Sequence, residues 1–147
     1  MYKKILVATD GSPLSKKAMV HATQLALLVG SELIILKVIP RVVQSYFDGA
    51  IPLNQKEIDK IEAAWAKDAH KLVDAERNTA IKAGINASSM VVKSDIVSKA
   101  IIDVSTKKKI DLIVMASHGR RGLKKLLLGS ETQNVLVQSA IPVLVLR

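Results

Sequence analysis

Apolar positions along this chain follow two rhythms, short continuous runs and longer stretches that repeat every three to four residues, and the two alternate. Lys3 to Thr9 (KKILVAT) is a short apolar run closed by Asp10, Gly11, Ser12 and Pro13, the pattern of a strand buried on both faces. Ser12 followed by Pro13 then marks a helix start: a hydroxyl can accept from an unpaired N–H, and a proline loses nothing at the first helical position. Ala18, Ala22, Leu25 and Val29 carry this first helix to Gly30. Glu32 to Ile39 (ELIILKVI) is a second buried strand, ended by Pro40.

Residues 40–54 hold no sustained period and include Gly49 and Pro52, so they predict a long loop. A long amphipathic helix follows from Asn54 to Ala83, with Ile58, Ile61, Trp65, Ala69, Leu72, Val73 and Ala80 on one stripe and Gly84 behind it. Trp65 belongs to that stripe, which assigns it to core packing rather than base stacking. Ser88 to Lys93 is a third strand, Val97 to Lys108 a third helix, Asp111 to Ala116 a fourth strand, Ser130 to Ser139 a fourth helix and Ile141 to Leu146 a fifth strand. Strict alternation of strand and helix over 147 residues predicts one α/β domain, a parallel sheet with helices on both faces. In that class ligands bind beyond the carboxyl ends of the strands.

Composition removes several classes. No apolar run approaches the ~20 residues of a membrane span, and the N-terminus runs into Asp10 without the features of a secretory leader. With no cysteine, thiol chemistry and disulfides are excluded, and a cytoplasmic location is the expectation. The formal net charge is +9, and Lys107, Lys108, Lys109, Arg120, Arg121, Lys124 and Lys125 against Asp111 supply +6 of it. The three consecutive lysines end a helical pattern and fit a solvated surface, whereas the later four flank a glycine-bearing loop suited to an anion. A nucleic-acid partner is not expected, because aromatic residues are only 3% of the chain and no reading motif is present.

After the fourth strand, Gly119, Arg120, Arg121 and Gly122 form a basic loop and Gly129-Ser130 opens a helix, a combination that suits polyphosphate. Ser130 and Gln133 have the spacing of a capping box, a purely structural alternative. Neither GxxxxGK[ST] nor a GxGxxG after the first strand occurs, which sets aside a P-loop and a dinucleotide fold.

The stretch VMASHGRRGLKKLLLGSETQNVL, together with the opening KKILVATDGS and the closing IPVLVLR, resembles the universal stress protein family over the whole chain. Its nucleotide-binding members show Gly-x2-Gly-x9-Gly-Ser/Thr, matched here by Gly119, nine residues, and Gly129-Ser130. The resemblance implies a Rossmann-like, adenine nucleotide alpha hydrolase-like sheet of five parallel strands in the order 3-2-1-4-5. It also implies an adenine nucleotide, ATP (or ADP or AMP) with Mg²⁺. Ala8, Thr9, Asp10 and the backbone of Val38 match positions that hold adenine and ribose. Met115, Ala116, His118, Gly119 and Arg120 match the segment along ribose and phosphates, and Gly129, Ser130, Glu131 and Thr132 match the helix start that receives the phosphate tail. Two positions depart from the pattern: Ala116 replaces the first glycine and sets a methyl beside the ribose, and Glu131 sets a negative charge near the phosphates. Asp95 and Val97 stand where relatives have a Gly-x-Pro turn.

His118 is assigned a structural hydrogen bond, His21 and His70 suggest no metal cluster, and Asp10 suits a ribose hydroxyl or a metal-bound water. No catalytic constellation is visible, so at most slow ATP hydrolysis is expected, and a stress-response switch acting through partners fits better than an enzyme. The alternative within the fold is a dimeric interaction module without nucleotide. In the implied order the strand Ile141 to Leu146 is an apolar edge, which predicts a homodimer through it.

Overall fold

The computed structural model describes residues 1–43, 51–119 and 127–147. Among the described residues nine elements alternate: β1 (Lys4–Ala8), α1 (Pro13–Val29), β2 (Glu32–Ile39), α2 (Gln55–Lys82), β3 (Ala87–Lys93), α3 (Val97–Lys108), β4 (Leu112–Ala116), α4 (Ser130–Gln138) and β5 (Val143–Leu146). The strands form one sheet in the order β3-β2-β1-β4-β5, and every neighbouring pair is parallel. The implied α/β architecture and strand order are therefore those observed.

Alternation along each strand divides the core between two faces. Ile5, Val7, Leu33, Ile35, Leu112 and Val114 pack with Ala18, Ala22 and Ala26 of α1 and with Val73 and Ala80 of α2. Leu6, Ile34, Leu36, Ile113 and Met115 pack on the other face with Ile101 and Val104 of α3 and Val135 of α4. With helices on both faces, the parallel strands read as continuous hydrophobic runs rather than alternating ones.

Helix boundaries follow local chemistry. Ser12 caps α1, its hydroxyl accepting from Ser15 N–H at 3.2 Å ahead of Pro13, and Gly30 ends the helix at φ +71°, where a side chain would be strained. Asn54 and Glu57 form a reciprocal capping box at the start of α2.

Trp65 departs from the expected stripe: it is 39% exposed, and the buried residues of α2 are Ala69, Val73 and Ala80. The cause is length. Twenty-eight helical residues span about 42 Å, whereas the eight of β2 span about 26 Å, so only the later part of α2 covers the sheet. The stripe of α1 also closes earlier than expected, at Ala26, and Val29 is exposed.

Near the carboxyl end of the sheet, Glu62 of α2 is ion-paired with Lys93 of β3 and accepts from Val42 N–H at 3.0 Å. Asp95, at the departure from the Gly-x-Pro turn, accepts from Arg41 N–H at 3.2 Å and so ties the β3–α3 turn to the chain leaving β2.

Candidate functional site

Three segments meet beyond the carboxyl ends of the central strands. The first is the turn after β1. Thr9 is buried and its N–H continues the sheet to Leu36 O at 2.9 Å. Asp10 then accepts from Ser12 N–H at 2.9 Å, an Asx turn, while Gly11 stands at φ +78°, a conformation glycine takes without strain. Lys37 of β2 donates to the Asp10 carbonyl at 3.2 Å and joins the second strand to this turn.

The second segment is the exit from β4. Ser117 N–H donates to Leu146 O at 2.7 Å, and Ser117 Oγ lies 3.1 Å from His118 Nδ1. That contact is a structural hydrogen bond of the kind assigned to His118 from sequence. Gly119 lies directly against the β1 turn: a Cβ on it would stand 2.5 Å from Asp10 Oδ2. No side chain fits there unless the Asp10 carboxylate moves.

The third segment is the start of α4. Gly129 N–H donates to Ser117 O at 2.7 Å, and a Cβ on Gly129 would meet His118 Cα at 3.3 Å and Ser117 O at 3.4 Å. Thr132, buried in the first turn, donates to Ala116 O at 3.0 Å. These contacts clamp the helix start onto the β4 exit. The helix cap is Gly129, which has no side chain to offer, so the Ser130–Gln133 capping box is not formed; Gln133 Nε2 instead donates to Leu128 O at 2.8 Å. The first N–H groups of α4 are therefore left without a side-chain cap and carry the positive end of the helix dipole.

Glu131 does not oppose that positive end. Its carboxylate accepts from Ser98 N–H at 2.6 Å, at the start of α3, where the cap residue Ile96 supplies no side-chain acceptor. Its backbone stays in the first turn of α4 while its charge serves another helix.

Of the residues singled out from sequence, Thr9, Asp10, Ala116, His118, Gly119, Gly129 and Thr132 are joined by these contacts. Ala8 and Val38 are half-buried and pack their side chains against the α3–α4 core, and Met115 is buried in it, so those three offer backbone rather than side chain. Ser130 is exposed at the helix start. Arg120, with Arg121, Gly122, Lys124 and Lys125, lies outside the described residues. His21 and His70 are exposed on α1 and α2, and among the described residues no group of three or more His, Asp or Glu could hold a metal ion.

One residue at this end had no signal in the sequence. Glu76 of α2 meets the turn after β1, its Oε1 hydrogen-bonded to Thr9 Oγ1 at 3.2 Å, while its other oxygen is buried and has no hydrogen-bond partner among the described residues. Burial pushes its carboxyl above the usual glutamate value, against the opposing pull of the Thr9 hydrogen bond and of Lys16 and Lys37.

Comparison with known proteins agrees with this architecture. The universal stress protein family matches residues 1–147. The chain is 33% identical to universal stress protein YxiE of Bacillus subtilis over the full length of both. It is 34% identical to universal stress protein MJ0577 of Methanocaldococcus jannaschii, covering all of this chain and 96% of that one. The solved structure of MJ0577 superposes with a TM-score of 0.82 over 99% of this chain and 96% of that one. A match over the whole sequence, together with a shared strand order, makes this chain a member of the universal stress protein family.

Proposed function

We propose that the chain binds an adenine nucleotide, ATP with Mg²⁺, across the carboxyl ends of β1, β2 and β4, and acts as a cytoplasmic stress-response switch or factor through partners. The observation that carries this reading is the cradle made by two glycines. A Cβ on Gly119 would press on the Asp10 carboxylate and one on Gly129 would crowd Ser117 and His118, and Gly129 opens a helix start without a side-chain cap among the described residues. Backbone N–H groups at such a start donate to phosphate oxygens without side-chain rearrangement. The Glu131 carboxylate is engaged by the Ser98 amide at the start of α3, which offsets part of its charge. Mg²⁺ would be held by phosphate oxygens and water, the hard oxygen ligands it prefers, with Asp10 suited to a metal-bound water.

Two other proteins of this fold support the ligand class. One universal stress protein has been solved in complex with cAMP and another, from Archaeoglobus fulgidus, with dAMP; at 24% and 16% identity they speak for the fold's capacity alone.

Isothermal titration with Mg·ATP and Mg·GTP tests the proposal, and ATP should bind more tightly because main-chain groups of the β1 turn and of Val38 would read the adenine edge. Mass spectrometry of the denatured purified protein should find ATP, ADP or AMP. Absence of heat and of any thermal shift with millimolar ATP would favour the second reading, a dimeric interaction module. That reading draws on the apolar edge strand β5, with Leu144 40% exposed, and on Ala116 in place of the motif's first glycine.

A further inference from the structure

A chain of hydroxyl groups runs from α2 across the end of β1 to the first turn of α1. Thr9 Oγ1 is 3.2 Å from Glu76 Oε1 and 3.3 Å from Ser15 Oγ, and it accepts from Gly11 N–H at 3.3 Å. Ser15 Oγ in turn donates to Ser12 O at 3.0 Å. Thr9 and Ser15 are buried, so water does not compensate an unmade bond.

Counting protons limits this chain to two wirings, one for each protonation state of Glu76. Each hydroxyl has one proton to give and two lone pairs to receive with. While Ser15 gives its proton to the Ser12 carbonyl, the Thr9–Ser15 contact takes the Thr9 proton. If Glu76 is a carboxylate, it takes the Thr9 proton, and Ser15 must turn its own proton from the Ser12 carbonyl to Thr9, which leaves that carbonyl with the Lys16 N–H alone. If Glu76 is protonated, it donates to Thr9, Thr9 donates to Ser15, and Ser15 donates to the Ser12 carbonyl. Thr9 then accepts from both Glu76 and Gly11, and every hydroxyl proton along the path has an acceptor. The buried Glu76 oxygen that lacks a partner is a neutral carbonyl in this form, far less costly to bury than an anion.

We propose that Glu76 is a positioning residue which, when protonated, heads a relay through Thr9 and Ser15 to the Ser12 carbonyl and fixes the turn 9–12 in its ligand-ready shape. The relay rests on the nucleotide reading above for its functional consequence: affinity for ATP falls as Glu76 ionises. The charged groups around the carboxyl are Lys16 of α1 and Lys37 of β2, which favour the anion, and Asp10, which disfavours it. On α2 itself, Asp74 and Arg77 pair with each other at 3.2 Å and with Ser89 of β3. Burial outweighs the two lysines, in agreement with the buried Glu76 oxygen that no described residue meets.

Two measurements separate the relay from its consequence. In the ligand-free protein, NMR titration of the Glu76 carboxyl should give a midpoint above the ordinary glutamate value. The Gly11 and Ser15 amide shifts should move with the same midpoint and stay still in Glu76→Gln. Amides that ignore the Glu76 titration, or an ordinary midpoint, would overturn the relay. In the second measurement, ATP affinity of the wild type should fall at least about threefold as Glu76 ionises. In Glu76→Gln, whose amide donates to Thr9 at every pH, it should stay level apart from the titration of ATP itself, which both proteins share. An identical pH slope in the two proteins overturns the coupling. A protein that takes no ATP at any pH overturns the proposed function and the coupling with it, while the amide titration still decides the relay.

Discussion

The Glu131 carboxylate and the Ser98 amide lie 2.6 Å apart, so the residue that departs from the nucleotide-binding pattern in charge is committed to capping a neighbouring helix. Ile96, the residue at the N-cap of α3, cannot do this itself, and Glu131 reaches across from α4 to supply the missing acceptor. The contact also locks α3 to α4, the pair that covers the second face of the sheet.

Glu131→Ala should therefore act on stability before it acts on binding. Loss of a helix cap costs about 1 kcal/mol, and a urea titration should show that loss with an unchanged slope. Mg·ATP affinity should change by less than about threefold, because the Ser98 amide already offsets part of the charge removed. A large gain in affinity with unchanged stability would place the carboxylate at the phosphates instead.

The glycines of the cradle should separate in the opposite sense. Gly119→Ala puts a methyl carbon 2.5 Å from Asp10 Oδ2, and the carboxylate, whose other oxygen holds Ser12 N–H, must shift to make room. Both groups are at the surface end of the sheet, so melting should shift little while ATP affinity drops. Gly129→Val meets the backbone of His118 and Ser117, which cannot turn aside as a side chain can, and should abolish binding. Titration calorimetry on both variants, with circular dichroism to confirm the fold, checks the order; full affinity in a folded Gly129→Val removes the phosphate tail from this turn.

Element boundaries were legible where the sequence carries its own punctuation. Pro13, Gly30 and Pro40 bracket α1 and β2, and those elements have the extents expected. Trp65 was misplaced because periodicity reports a helix face and not what the face packs against; a helix longer than its strands leaves part of that face outside the core. At the site, the glycines and Asp10 were visible as a motif, whereas Glu76 and the role of Glu131 were not. Glu76 meets Thr9 across 67 positions of sequence and Glu131 meets Ser98 across 33, contacts made only by the packing of helices that no local pattern specifies.

Acid stability should depend on the opposite end of the sheet. Asp111 accepts from Lys4 N–H at 2.9 Å and Lys3 N–H at 2.8 Å, and these bonds hold its carboxyl below the ordinary aspartate value. A depressed folded-state value means the stabilisation is present above the unfolded value and is lost as pH falls through the folded one. Glu62, held down by Lys93 and then by the Val42 amide, acts in the same direction. Asp111→Asn should lower the urea midpoint at neutral pH and flatten its fall in acid. An acid limb identical to the wild type would show that other carboxylates control it.

Assembly is the last expectation, and the structure changes how it must be tested. β5 occupies one edge of the sheet and, among the described residues, pairs only with β4, so its outer backbone groups face away from the sheet. A four-residue apolar strand in that place, with Pro142 before it and Arg147 after it, offers little to discourage a second copy, and a two-fold axis would let β5 pair antiparallel with itself. Val143 and Val145 pack against the α3–α4 core, so charging them would destabilise the fold as well as any interface. Leu144 is different: it is 40% exposed, on the opposite side of the strand. Leu144→Lys should leave the circular dichroism spectrum and the core intact while placing like charges close together across the two-fold axis. Light scattering should give twice 15.9 kDa for the wild type and the monomer mass for Leu144→Lys. A wild-type monomer at micromolar concentration rejects the dimer, and a dimer that survives Leu144→Lys moves the interface away from β5.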